Sequence, residues 1–141
     1  MIALLDTLEY LKKGGRISKS VAMIGGMLSI KPVVTVEDGV VAVLGKARGS
    51  KNGNNLLVKE IQNAGGIDFS LPFWLGYTGI NDALLQKYIQ DSEVLWKDYT
   101  EELPICTIGA TIGTHVGPNA VAVAFFRKGR LKVTIQQPLF L

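Results

Sequence analysis

Short runs of β-branched and other apolar residues recur along this 141-residue chain, separated by glycine, proline and asparagine. Two of these runs, residues 30–36 and 40–46, flank a turn at residues 37–39 that contains Asp-Gly, and this arrangement predicts a β-hairpin. Pro32 cannot donate a ladder hydrogen bond, so it should lie at the beginning or the edge of its strand. Residues 2–5 predict a short edge strand before the hairpin.

After the first predicted strand, apolar residues recur at helical spacing instead of in short runs. Asp6 and Glu9 have the spacing of a capping box, leucines then repeat on one helical face, and Gly14-Gly15 predicts a left-handed helix end. We therefore expect a short amphipathic helix that stops at these glycines.

A second helix is predicted after Ser18 or Ser20, either of which is a suitable cap. Gly25-Gly26 within it either breaks the helix or permits close backbone packing. One apolar face of this segment forms a wall that suits an acyl chain, because methionine thioethers fill irregular gaps. An apolar face of this kind is also typical of an ordinary core. The wall consists of Met23, Ile24, Met27 and Leu28.

The middle of the chain alternates strands and helices. A helix is predicted over residues 52–63, a buried strand over 73–77 and a helix capped by Asn81, while residues 94–103 indicate a short helix or an irregular turn. Such alternation with one hairpin predicts an α/β fold, in which helices pack on a mixed sheet within a single domain.

Residues beyond 128 add a further apolar pattern. Leu131, Val133 and Ile135 alternate with polar residues and predict another hairpin, and the last residues form an apolar tail. Exposed alternating β-branched residues favour pairing with a second chain, so we expect self-association through this hairpin.

Composition narrows the class of protein. Apolar residues make up 48% of the chain and charged residues 19%, yet no uninterrupted stretch approaches the roughly 20 apolar residues of a membrane helix. The opening residues 1–5 are too short for the core of a signal peptide. We therefore expect a soluble, cytoplasmic protein.

The net charge of +3 is distributed unevenly. Two basic clusters contain Arg16 and Lys19 in the first and Arg48 in the second. They are either solvated loops and helix ends, or a basic surface for anionic lipid headgroups or an acidic partner. The chain lacks the motifs that turn positive charge into nucleic-acid recognition, so we expect no nucleic-acid partner.

The only histidine gives the chain its candidate polar site. His115 lies in a Gly/Pro-rich segment, residues 113–120, between two runs predicted as buried strands, residues 105–108 and 121–126. A neutral imidazole at a strand end can donate and accept hydrogen bonds, so it suits an anionic or hydroxylated ligand. The simpler alternative is that His115 bonds a neighbouring carbonyl. Thr114 either joins the ligand or stabilises the turn.

Other chemistry is poorly supported by the sequence. Cys106 stands alone in an apolar run and is predicted to be an inert core residue. One histidine and one cysteine cannot complete a tetrahedral metal site, and no phosphate-binding loop, dinucleotide fingerprint or nucleophile elbow is present. We therefore expect no metal, no cofactor and no enzymatic activity.

Three motifs in the expected order resemble the DegV family. They are residues 8–18, with the run Lys-Lys-Gly-Gly-Arg-Ile-Ser, residues 30–34, with Ile-Lys-Pro-Val-Val, and the histidine segment 113–120. The resemblance extends over about residues 4–127 and concerns the C-terminal half of the family, so the chain resembles a family member whose N-terminal domain is missing.

The resemblance implies a function. Family members bind one long-chain fatty acid between two α/β domains, with the acyl tail in the C-terminal one, and in Gram-positive bacteria they present the acid to a separate kinase. It implies that His115 lies near the carboxylate or the acyl phosphate made by the kinase. The acyl pocket is expected around the wall defined above together with Ile30 and Val33, and the basic surface is expected to contact membranes transiently.

Two alternatives remain open at this stage. The first is a protein-interaction module that binds no lipid and uses its apolar face for a partner. The second, less favoured, is a hydrolase of an acyl phosphate or ester that depends on His115.

Overall fold

The computed structural model describes residues 1–18 and 29–129. In chain order the elements are β1 (Ile2–Leu4), α1 (Glu9–Lys13), β2 (Ile30–Glu37), β3 (Val40–Arg48), α2 (Ser50–Asn63), β4 (Trp74–Tyr77), α3 (Ala83–Asp91), α4 (Glu93–Trp96), β5 (Ile105–Thr107), α5 (Ala110–Val116) and β6 (Val121–Ala124). The predicted second helix and the C-terminal hairpin lie outside the described residues.

The strands form one six-stranded sheet in the order β3-β2-β1-β6-β4-β5. All neighbours are antiparallel except β4 and β5, which are parallel. The sheet is therefore mixed, and with its packed helices it confirms the predicted α/β class. The prediction of β1 as an edge strand was wrong, because β1 pairs with β2 on one side and β6 on the other.

The central hairpin agrees with its sequence signal. Asp38 and Gly39 both adopt positive φ angles, 50° and 80°, which is the conformation that an Asp-Gly turn supplies at low cost. Pro32 is the third residue of β2. It lies opposite Leu5, the residue that follows β1, and its carbonyl accepts the Leu5 N–H at 2.9 Å. The missing proline N–H is thus placed near the beginning of the strand, as expected.

Helix α1 begins differently from the predicted capping box. The Asp6 carboxylate forms an ion pair with Lys31 of β2, and the Glu9 N–H donates instead to Thr7 Oγ1 at 3.2 Å. Asp6 therefore fastens the start of the helix to the sheet. Gly15 has a φ of 69°, so the predicted left-handed end is confirmed.

One face of the sheet is covered by α2, α3 and α4. Large side chains from both layers meet in a continuous core there, and several of them have no solvent exposure. The core contains Ile2, Leu4, Val33, Leu57, Ile61, Leu75, Leu85, Tyr88, Trp96, Val121 and Val123. Burial of these side chains is the main favourable contribution to stability.

The opposite face carries smaller side chains and is covered only in part. Helices α1 and α5 pack together over one end of it, where Leu5, Leu8, Leu11 and Ala120 form a second, smaller cluster. The remaining surface of that face is open within the described residues.

Two segments near the histidine differ from their predictions. Residues 113–120 were interpreted as a turn, but α5 occupies Ala110–Val116 and only the residues after it turn. Strand β5 was predicted to be buried, but it is exposed, because it lies at the sheet edge and pairs only with β4. Cys106 is consequently an exposed free thiol rather than a core residue.

Tyr88 supplies a test of the core. Its hydroxyl is buried and has no hydrogen-bond partner in residues 1–18 and 29–129. Ser92 Oγ donates to the Tyr88 carbonyl at 2.5 Å and accepts from Trp96 Nε1 at 2.9 Å. Burial raises the pKa of the Tyr88 phenol above its ordinary value of 10.0, because the folded protein disfavours the charged form.

We predict that wild-type protein loses stability above pH 10 and that Tyr88→Phe reduces this loss. The unfolded chain ionises its tyrosine near pH 10 while the folded chain does not, so this group removes about 1.4 kcal/mol per pH unit above that value. At neutral pH the variant should be neutral or more stable by about 1 kcal/mol, since it removes an unpaired buried hydroxyl. Urea unfolding at several pH values measures both effects. Tyr99→Phe, at a residue 57% exposed, is the control, and an equal change in both variants would contradict the prediction.

Candidate functional site

The open face of the sheet forms an apolar cavity of about 440 Å³. This volume lies within the range of small-molecule pockets, roughly 300–1,000 Å³. The walls come from all six strands, from α1 and α5, and from the residues next to them. They are Met1, Ala3, Leu5, Leu11, Arg16, Val34, Val36, Gly39, Val41, Trp74, Gly76, Cys106, Ile108, Ile112, His115, Val116, Ala120, Ala122 and Ala124.

Small side chains create the space. Ala3, Gly76 and Ala122 stand next to one another across β1, β4 and β6, where the opposite face carries large core residues. A Cβ atom added at Gly76 would lie 2.9 Å from Ile108 Cγ1, so even one methyl group would displace a wall residue. Ile108 thus lies directly on the Gly76 backbone, and Ala3 and Ala122 form the small-residue floor of the cavity beside it.

Contacts between α1 and α5 position the histidine. The His115 ring packs directly on the Cα of Gly14, where an added Cβ would collide with the ring, and the Tyr10 ring packs in the same way on Gly117. Gly117 also has a φ of 78°, which favours glycine at the end of α5. Two glycines therefore allow the two helices to approach closely enough to hold the imidazole at the cavity wall.

The polar groups at this end have unused hydrogen-bonding capacity. His115 Nδ1 is buried and has no partner among the described residues. Arg16 also lines the cavity, and its Nη1 donates to the Gly14 carbonyl at 3.2 Å. A guanidinium has five N–H donors, so the others remain for a ligand or solvent. This end of an otherwise apolar cavity suits an anionic head group.

Thr78 anchors the turn that follows α5, and the sequence analysis did not identify it. Its hydroxyl donates to the Gly117 carbonyl at 2.6 Å and accepts from the Ala120 N–H at 2.9 Å. Its backbone adds bonds with Asn119 and Ala120, each 3.1 Å long. A lone threonine after a strand carries no signal of this role, because its partners are about forty residues away.

The structure separates the predicted head-group residues. His115 lines the cavity, whereas Thr114 is exposed and its Oγ1 donates to the Ala110 carbonyl at 2.8 Å, within α5. Thr114 therefore does not reach the cavity.

The two arginines of the predicted basic surface lie apart. Arg16 is at the cavity, but Arg48 is the last residue of β3, seven residues beyond the wall residue Val41. This separation is roughly 20 Å along the strand. Arg48 is therefore too far from Arg16 and the cavity to form one basic patch with them.

The predicted acyl pocket is only partly described. Met23, Ile24, Met27 and Leu28, like Lys19 of the basic surface, lie outside the described residues. Neither Ile30 nor Val33 lines the cavity, because Val33 points to the helix-covered core and its neighbour Val34 points to the cavity. Successive strand residues face opposite sides of a sheet, so Val34 is the residue of the pair that faces the cavity.

Metal-binding clusters and membrane-spanning helices are both absent from the described part of the chain. Residues 1–18 and 29–129 contain no group of three or more His, Cys, Asp or Glu side chains that could hold a metal ion. No helix in those ranges is long and apolar enough to cross a membrane. Cys106 lines the cavity wall as a single exposed thiol.

A protein-family model described as uncharacterised protein, DegV family, matches residues 1–128. The chain is 34% identical over 132 residues to a DegV domain-containing protein of Caldanaerobacter subterraneus subsp. tengcongensis, and the match covers 90% of this chain and 44% of that protein. The chain thus spans less than half the length of this relative.

Two solved structures show the same fold. A DegV family protein from Thermus thermophilus, described by its fatty acid binding, is 31% identical with a TM-score of 0.68, and the match covers 87% of this chain and 44% of that one. The Streptococcus pneumoniae Fatty Acid Kinase B3 protein, loaded with linoleic acid, has a TM-score of 0.72 at 21% identity. That match covers 86% of this chain and 42% of the other.

Replacing Thr78 by valine should destabilise the protein by about 2–6 kcal/mol. The substitution keeps the shape but leaves the Gly117 carbonyl and the Ala120 N–H unpaired, at a cost of about 1–3 kcal/mol for each buried group. Urea unfolding measures the loss, and the imidazole resonances of His115 should shift because the turn after α5 is released. Thr111→Val, at an exposed position of α5, is the matched control. Equal stability of the two variants would contradict the role of Thr78.

Proposed function

The chain belongs to the DegV family, and on that premise we propose that its apolar cavity binds the acyl tail of a long-chain fatty acid. The observation that carries this proposal is the cavity of about 440 Å³ with apolar walls along its length and two polar side chains, His115 and Arg16, at one end. Such a division between an apolar body and a polar end matches the division within a fatty acid.

The energetics favour this ligand class. Each buried methylene contributes about 0.8 kcal/mol, so a long tail supplies most of the binding free energy. The carboxylate adds orientation, because a hydrogen bond to a charged group contributes about 1.5–3 kcal/mol. In our proposal the carboxylate lies near the His115 imidazole and the Arg16 guanidinium, both of which line the cavity.

A second domain completes the site in this proposal. Several cavity residues are exposed apolar side chains, among them Met1, Val36, Trp74 and Ile112, and such an exposed apolar face is typical of an interaction surface. Because the chain spans less than half of its relatives, we infer that the open side is covered by the N-terminal half of the family. The acyl chain would then lie between the two.

We further infer that the loaded protein presents its fatty acid to a partner kinase. Support comes from the fold shared with the pneumococcal Fatty Acid Kinase B3 protein and from the position of the polar end, where α1, α5 and Arg16 are accessible at the surface. A basic group at that end also favours approach to anionic lipid surfaces. The protein's role in this proposal is to bind and present a lipid, with no catalytic step of its own.

A protein-interaction module without lipid is the second candidate. The same exposed apolar residues favour it, since a face of this kind can bind a protein with no ligand in between. The two candidates differ in what the purified protein contains and in their dependence on His115.

We predict that organic-solvent extraction of the purified protein, followed by mass spectrometry, recovers a long-chain fatty acid, both from this chain and from a version extended by an N-terminal family domain. Recovery from the extended version alone would mean that the second domain is needed to retain the lipid. Absence of fatty acid from both would contradict the proposal and favour the interaction module.

His115→Ala should weaken fatty-acid binding roughly 10-fold or more, because the hydrogen bond to a charged carboxylate contributes about 1.5–3 kcal/mol. Thr114→Val, one residue away, should leave the affinity unchanged, since its hydroxyl is used within α5. Titration with a fluorescent fatty acid measures both variants. Equal affinities of wild type and His115→Ala would exclude His115 from the head-group site.

A further inference from the structure

Cavity-facing residues of β1, β4 and β6 form rows across the sheet, because paired residues on neighbouring strands point to the same face. Ala122 pairs with Ala3 and with Gly76, and Ala124 of the next row pairs with Trp74. Successive rows are about 6.7 Å apart. The indole of Trp74 is thus the next large group after a row made only of glycine and alanine.

The histidine lies near the start of β6, whereas Trp74 pairs with the last residue of that strand. Ala120 packs in the same cluster as Val116, the neighbour of His115, and it precedes Ala124 by four residues of extended chain. This separation corresponds to about 13 Å. A ligand whose carboxylate lies near His115 therefore directs its tail along β6, past Ala120, Ala122 and Ala124, towards Trp74.

The indole at that end is both large and accessible. Trp74 is 49% exposed and lines the cavity, whereas the other tryptophan, Trp96, is buried in the core on the opposite face. An aromatic ring with two side-chain torsions is a rigid obstacle, and it gains apolar contact when a tail reaches it. Ala124 beside it leaves room for the end of an acyl chain.

We propose that Trp74 is a specificity-determining residue that sets the length of acyl chain the cavity accommodates. This inference rests on the proposed binding of fatty acids and adds a length limit to it. Carbon–carbon bonds of about 1.5 Å advance an extended chain by roughly 1.3 Å per carbon. The distance between the histidine end and the indole therefore corresponds to about the first ten carbons of an extended tail, and the remaining carbons of a longer acid lie at or beyond the ring.

The limit appears in how affinity depends on chain length. Below the limit, each added methylene is buried and should tighten binding about fourfold. Beyond it, added methylenes gain little, because they pass the indole into solvent. A plot of affinity against carbon number should therefore rise and then level off.

The test is displacement of a fluorescent fatty acid by saturated acids from octanoic to octadecanoic acid. Trp74→Ala should move the point of levelling to acids at least two carbons longer, and Ala124→Leu, which fills the space beside the ring, should move it to shorter acids. Tyr99→Ala removes a similarly exposed aromatic ring outside the cavity and should leave the profile unchanged. An unaltered profile in Trp74→Ala would overturn the inference while leaving fatty-acid binding intact. Failure of every acid to displace the probe would instead overturn the proposed function and this inference with it.

A terminally brominated acid locates the tail directly. Bromine at the end of a dodecanoic acid should quench tryptophan emission of the wild-type protein, and the quenching should disappear in Trp74→Phe, which retains only the remote Trp96. Quenching that persists in Trp74→Phe would show that the tail ends elsewhere and would also overturn the inference.

Discussion

The two faces of one sheet must both be kept from water, and in this protein the described helices can bury only one of them. Large side chains on that face interlock with α2, α3 and α4, as Val33, Leu75 and Val123 illustrate by their complete burial. Of the described helices, only α1 and α5 meet the other face, which carries alanine and glycine along its centre. Because protein interiors are close-packed, such small residues without a covering layer leave a cavity. The candidate site is therefore a consequence of how the sheet is covered.

Close approach of α1 and α5 determines the chemistry at the end of that cavity. Each helix places a ring on a glycine of the other segment, His115 on Gly14 and Tyr10 on Gly117, and either contact would be lost if the glycine gained a side chain. Thr78 holds the end of α5 to β4 through its hydroxyl. The polar end is thus positioned by packing and by a buried hydrogen-bond network, both of which resist rearrangement more strongly than exposed loops do.

Local signals in the sequence predicted the local parts of this arrangement. The hairpin follows from Asp38-Gly39, the end of α1 from Gly15, and His115 was identified by its place between two apolar runs. Features that depend on distant partners were not predictable in the same way. Strand β1 was taken for an edge because pairing with β2 and β6 leaves no local mark, and α5 was taken for a turn because its glycines and β-branched residues disfavour helices in isolation. Val33 was chosen instead of Val34 because one residue of register exchanges the two faces.

An open cavity also couples its two kinds of occupant. A tail that fills the groove between Trp74 and His115 changes the surface that any covering domain or partner meets, and the cover in turn removes the exposed side of the tail from water. Whichever binds first therefore alters the affinity for the other by the same factor, as linkage requires. The size of this effect depends on how much apolar area the tail and the cover share, because that area contributes only when both are present. In our proposal the loaded and empty forms therefore differ at the open face, which is the face that the described helices cover least. Under the proposed function, the incomplete covering of the sheet by the described helices makes partner binding depend on the bound fatty acid.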